Sequence, residues 1–99
     1  MRPQAEEDLD SQLDYYVREA GLDVAMRYLG GIERAIHFLY LHPDAGSSKD
    51  FGNPALKGLR SWPVPGFEEI RIYYLRPDEN TIRIVRILHG KRDLAGILN

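Results

Sequence analysis

Apolar residues recur at helical spacing through the first part of the chain and then change to alternation. Leu9, Leu13, Tyr16, Val17 and Ala20 share one helix face from about residue 4. Pro3 suits the first turn, Glu6, Glu7 and Asp8 stand where the helix dipole favours acids, and Gly21 supplies a stop. Val24, Tyr28, Leu29, Ile32, Ala35, Ile36 and Leu39 then continue the period until His42-Pro43, where proline ends it. Two helices of about 16 and 20 residues with so short a joint predict an antiparallel hairpin. Gly30-Gly31 lies inside the second helix, where each glycine costs about 1 kcal/mol relative to alanine. That cost is expected to be offset by close approach of a neighbouring helix or of the sheet.

Residues 43–58 are turn-rich and polar, and read as a surface loop. Strand patterns follow over 58–64, 67–75 and 81–88, the last two separated by a hairpin turn in 76–80. Alternation places Ile70, Ile72 and Tyr74 on one face against Glu69, Arg71 and Tyr73. It also sets Ile82, Ile84, Arg86 and Leu88 against Arg83, Val85 and Ile87. Helices grouped first and strands after them predict an α+β fold, with an N-terminal antiparallel helical hairpin packed on a small antiparallel sheet of three or four strands. A chain of 99 residues is expected to be a single domain, 1–99.

Composition narrows the function classes. Hydrophobic content of 43% with 28% charged residues is ordinary for a globular protein. With no cysteine, disulfides, thiolate catalysis and Cys-type zinc sites are excluded. No apolar run approaches the roughly 20 residues of a membrane helix and the N-terminus lacks an apolar signal region, so a cytoplasmic location without membrane contact is expected. The net charge of −2 hides an asymmetry, because ten of the 15 acids lie in residues 1–50 and eight of the 13 Lys/Arg in residues 51–99. So small a basic excess argues against direct nucleic-acid binding.

The basic residues concentrate around the last strand. Arg60, Arg83, Arg86, His89, Lys91 and Arg92 are the candidate interaction surface, expected at one end of the sheet. Arginine forks suit carboxylates and phosphates. The structural alternative is that Arg86 pairs with an acid on the helical hairpin and that His89-Gly90 is a turn. Trp62 is expected to be packed, and Tyr15, Tyr16, Tyr73 and Tyr74 to place rings in the core with hydroxyls at its edge. Glu6, Glu7, Asp8, Asp10 and Asp14 read as a solvated acidic face. No metal site or cofactor is expected, since His37 and His42 lie on a different helix from these acids.

Four stretches in order, QAEEDLDSQLDYYVREAG, ERAIHFLYLHPDAG, LKGLRSWPV and IRIVRILHGKRDL, together resemble the ParE/RelE superfamily of toxins from bacterial toxin–antitoxin modules, most closely the ParE branch. The resemblance implies a non-enzymatic growth-arrest toxin that poisons DNA gyrase, serves plasmid stabilisation, and is held in a hetero-oligomer with a cognate antitoxin, ParD-like or other, that carries a DNA-binding part. Nucleic acid is then met only through the antitoxin or gyrase. The RelE branch, cleaving mRNA on ribosomes, is the alternative; there Arg71, His89 and Arg92 would be catalytic, although the tyrosine of that pattern falls near Leu98. A third reading is a toxin fold without toxicity, serving as a co-repressor. Family members usually begin with a short strand, whereas this chain starts at the helix, which predicts an unpaired edge on the neighbouring strand. Pro63-Val64-Pro65-Gly66 also leaves the register of its hairpin open.

Overall fold

Helix α1 (Pro3–Glu19) begins on Pro3, whose missing N–H is no loss in a first turn. The Ala20 and Gly21 N–H groups both return to the Tyr16 carbonyl, at 2.8 and 2.9 Å, and close the helix. Helix α2 (Leu22–Leu41) starts immediately and runs until Pro43 forbids another turn. The computed structural model describes residues 1–90 and 94–98. After the hairpin come β1 (Ser47–Ser48), a 3-10 turn (Pro54–Leu56), β2 (Arg60–Val64), β3 (Phe67–Asp78), β4 (Thr81–His89) and a short α3 (Leu94–Leu98). The four strands form one antiparallel sheet in sequence order. This is the α+β arrangement expected of helices followed by strands.

The sheet has an apolar layer on each face. Toward the helices, Tyr28, Ile32 and Leu39 of α2 and Ala5 of α1 meet Val64, Ile70, Ile72, Tyr74 and Ile84. On the other face, Leu56, Leu59, Tyr73, Val85, Leu88 and Leu98 form a smaller core roofed by the 51–59 segment and α3. Strict alternation fails in β4 because the register slips between Tyr73 and Tyr74, leaving Val85 without a partner. A bulge inserts one residue and reverses the facing of everything after it. Ile87 therefore joins Ile82 and Ile84 under the helices, while Leu88 turns to the smaller core. Arg86, which alternation put in one row with Ile82 and Ile84, stands opposite Tyr73. A second slip falls between Leu75 and Asp78, a stretch that includes Pro77, which has no N–H for a ladder, and the hairpin turn shrinks to Glu79-Asn80.

The paired glycines of α2 serve different ends. A methyl on Gly31 would lie 2.8 Å from the Pro65 carbonyl oxygen and 3.1 Å from Val64 Cγ1, so bare backbone lets α2 press on the β2–β3 turn. A methyl on Gly30 would meet only the mobile tip of Arg34. The β2–β3 connection is a tight turn through Pro65-Gly66, and its register breaks directly after Pro63.

The expected unpaired edge of β4 is covered, though not by a strand. Arg2 N–H donates to the Ile84 carbonyl at 3.0 Å. Farther along, α1 side chains complete the ladder: Asp8 accepts from the Ile87 N–H at 3.0 Å and Gln12 donates to the Ile87 carbonyl at 2.8 Å. Tyr28 in turn donates its hydroxyl hydrogen to Gln12.

Burial pushes the phenols of Tyr16, Tyr28, Tyr73 and Tyr74 above the ordinary value, Tyr28 furthest, with the nearby Tyr16 and Asp8 adding to it. The unfolded chain loses these protons near about pH 10 whereas the folded chain retains them. Their contribution to stability is therefore complete below that pH and is lost as pH rises beyond it. A thermal-melt series is expected to show Tm falling above about pH 10, with phenolate absorbance from these residues rising together with unfolding. Their ionisation ahead of any loss of structure would contradict this.

Candidate interaction surface around the last strand

The candidate residues sit on β2, β3 and β4, and the strand geometry separates them. Arg83 lies near the β3–β4 turn, opposite Leu75, while His89 ends the strand opposite Ile70. Six residues of strand place them roughly 20 Å apart. Arg83 is exposed and has no hydrogen-bond or ion-pair partner among the described residues. Arg60 turns to the loop after α2, donating to the Gly46 carbonyl at 2.7 Å and the Asp44 carbonyl at 3.3 Å. The structure thus does not bring Arg60, Arg83 and His89 together at one end of the sheet. Lys91 and Arg92 lie outside the described residues.

Arg86 makes a two-pronged pair with Asp8. Its Nε donates to Asp8 Oδ2 at 2.8 Å and its Nη2 to Oδ1 at 2.9 Å. The two side chains are 20% and 11% exposed, so this bond is largely withdrawn from water. The hydrogen bond with Asp8 pushes the guanidinium pKa still higher, against the opposing effect of burial. One carboxylate thus serves both Arg86 and the Ile87 N–H, which ties α1 to the edge of the sheet. Asp8 is not part of a solvated acidic face, as its neighbours in α1 are. The signal for it is positional: Asp8 and Gln12 are one helical turn apart and flank the half-buried stripe of Leu9, Leu13 and Tyr16 that packs on the core.

Arg71 and His89 leave the sheet on opposite faces. Arg71 pairs across β4 with Leu88 and reaches back to β2, where Nε donates to Ser61 Oγ at 2.9 Å. Ser61 is fully buried, and the arginine satisfies its hydroxyl. His89 stands with Ile70 on the helix side, its Nε2 3.0 Å from Glu69 Oε2. Gly90 N–H closes the strand on the Glu69 carbonyl at 2.6 Å. Leu98, where the RelE pattern would place its tyrosine, is buried in the smaller core.

Between the end of the sheet and α1 runs a cleft of about 360 Å³, lined by Glu7, Asp8, Ser11, Gln12, Tyr15, Tyr16, Ile70 and His89. A second hollow of about 350 Å³ shares Tyr16, Ile70 and His89 and extends to Phe67, Glu68 and Glu69. Tyr15 is more than half exposed, unlike Tyr73 and Tyr74, which are buried. Trp62 stacks on Phe38 with ring centroids 5.0 Å apart. The Tyr73 hydroxyl is buried with no partner among the described residues, whereas Tyr74 donates to the Pro43 carbonyl and accepts from Gly46 N–H.

Chemically, these surfaces offer recognition: aromatic rings for packing, the exposed fork of Arg83 for a carboxylate or phosphate, and acids at the cleft rim. Among the described residues no His, Asp and Glu side chains gather in a group able to hold a metal ion, and no helix is long and apolar enough to cross a membrane. A family model described as the ParE toxin of the type II toxin–antitoxin system parDE matches residues 1–94. No curated protein matches the chain.

Proposed function

Because the chain belongs to the ParE toxin family of type II toxin–antitoxin systems, we propose that it arrests growth by binding DNA gyrase and trapping it on cleaved DNA. The family implies a cognate antitoxin as its partner. In our reading the antitoxin neutralises the toxin by binding a surface separate from the Lys91–Arg92 region that meets gyrase, and the complex forms in the cytoplasm.

What supports binding over RNA cleavage is the placement of Arg71 and His89. Cleavage at a 2′-hydroxyl needs a base, a cation for the phosphate and a proton donor converging on one bond. Arg71 is committed to Ser61 on one face and His89 stands beside Glu69 on the other. A single phosphate would not meet both side chains. A surface inhibitor has no such requirement.

In this account Lys91 and Arg92 contribute to the gyrase-facing surface. Replacing both with alanine is expected to relieve growth arrest on induction while leaving antitoxin binding within about threefold, as for charges at the rim of an interface. Colony counts and a pull-down with antitoxin check this. Loss of both functions in a folded variant would overturn the division of surfaces. For the proposal as a whole, induced cells are examined for chromosomal breaks and for mRNA cut within reading frames. Breaks without cut mRNA are expected; cut mRNA with an intact chromosome would favour the ribonuclease reading.

A further inference from the structure

The loop between β1 and β2 borders a hollow of about 530 Å³, larger than either cleft beside α1. Its shape is held from below, because Leu56 and Leu59 are buried in the smaller core and the Lys49 N–H donates to the Leu59 carbonyl at 2.8 Å. Lys49, Lys57 and Arg60 line the hollow, and Asp50 is the acid among them. The side chains of Lys49 and Lys57 make no hydrogen bond or ion pair among the described residues, and neither does the Ser48 hydroxyl at the same hollow. The Asp50 carboxylate is turned to its own loop, where it accepts from the Gly52 N–H at 2.9 Å. In a chain whose net charge is −2, three cations against one acid make a local excess of positive charge.

We infer that this hollow binds a small phosphorylated ligand, a phosphomonoester or pyrophosphate group on a molecule of nucleotide size. The volume lies in the range of about 300–1,000 Å³ that holds small ligands. Which cations are free favours phosphate over carboxylate. Arg60 is tethered by Nη1 to the Gly46 and Asp44 carbonyls, at 2.7 and 3.3 Å, and serves as a fixed charge at the rim. The unpartnered cations are both lysines, compact point charges with three donors each. Two of them balance a dianion and meet the spread oxygens of a phosphate, whereas a planar carboxylate is matched best by a forked guanidinium. The Gly58 N–H, also at the hollow, is a further donor without a partner among the described residues. A free ligand is favoured over a nucleic-acid strand because the charge is gathered in one place. A strand needs a basic track along several phosphates. On the Arg60 side, Arg76 is already opposed by Asp44 at 3.5 Å, and the negative chain as a whole repels a long polyanion. Nothing in this site depends on the gyrase reading.

Calorimetric titration of the purified full chain with ADP at low salt is expected to show saturable binding with a Kd of about 0.1–1 mM, the range that a few exposed charge contacts support. Pyrophosphate competes for it, and the amide shifts that ADP causes in the NMR spectrum gather at Lys49 and Lys57 to Arg60. Lys49→Ala and Lys57→Ala each weaken binding about threefold, and together about tenfold. Tm stays unchanged in both, since neither side chain is buried. Arg27→Ala removes an exposed cation from α2 and leaves binding as it was. A chain not saturated by about 10 mM ADP, well above the weakest expected Kd, overturns the proposal. An equal loss from Arg27→Ala does so too, because the anion would then be following diffuse charge. Citrate displacing ADP as well as pyrophosphate does would refute the choice of phosphate. A thymidylate oligonucleotide binding more than tenfold tighter than ADP would refute the choice of a small ligand.

Discussion

Replacing Asp8 by alanine is expected to destabilise the fold by about 3–5 kcal/mol, the largest effect of any single side chain in α1. The change removes one carboxylate but strands two groups: the guanidinium of Arg86, only 20% exposed, and the buried-edge N–H of Ile87. Leaving a charge unpaired in such a place costs more than the pair itself contributes, and the orphaned N–H adds about 1–2 kcal/mol. Asp8→Asn keeps one acceptor oxygen and is expected to lose about half as much. Urea unfolding monitored by circular dichroism checks both, with the midpoint falling while the slope stays constant. A second consequence follows from position. With α1 loosened, β4 becomes an open edge, so the alanine variant should also aggregate where the asparagine variant does not. A loss below about 1 kcal/mol would mean that the Asp8–Arg86 pair is an ordinary surface ion pair.

The next largest effect is expected at Gly46, in the loop that leaves α2. Gly46 is buried; its N–H donates to the Tyr74 hydroxyl at 2.9 Å and its carbonyl accepts from Arg60 at 2.7 Å. The same hydroxyl donates to the Pro43 carbonyl at 2.8 Å, so one phenol fastens both ends of 43–46. A methyl on Gly46 would lie 2.7 Å from Tyr74 Cε1 and 2.9 Å from the Ser61 carbonyl oxygen. Neither a core ring nor a paired strand yields easily. Gly46→Ala is therefore expected to cost about 2–3 kcal/mol through overpacking. Tyr74→Phe reaches about 1.5–3 kcal/mol by a different route, leaving the Gly46 N–H and the Pro43 carbonyl without partners. The two losses should combine to less than their sum, since both act on the same contact. Additive losses in a double variant would show that the loop and the tyrosine are independent.

Much of this architecture was legible in the order of periodicities. Three-to-four spacing over residues 4–41 marked both helices, and Pro3, Gly21 and Pro43 marked their ends because those residues act through local backbone chemistry. The β3–β4 hairpin was equally legible. The bulge at Val85 was not, because an extra residue in a ladder is decided by what lies on both faces at once. As a result, the row to which alternation assigned Arg86 was wrong, and so was the expected gathering of Arg60 and Arg83 beside His89. Asp8 was misread for a related reason. Among Glu6, Glu7 and Asp10 it looks like one more solvated acid, and only the approach of β4 gives it two donors. The second core was not legible because its roof comes from residues scattered through a polar loop, Phe51, Leu56 and Leu59, and from the short α3, while the bulge decides which β4 residues face it. The resemblance to the toxin family rests on residues spread over the whole chain, so these local errors left it intact.

The measurement that tests the central claim most directly combines purified chain, bacterial gyrase, ATP and supercoiled plasmid, with linear DNA scored after protein denaturation. The account predicts linear product that requires both gyrase and this chain and disappears when the cognate antitoxin is added. A folded chain that still arrests growth in cells yet yields no linear DNA at any ratio to gyrase would contradict it.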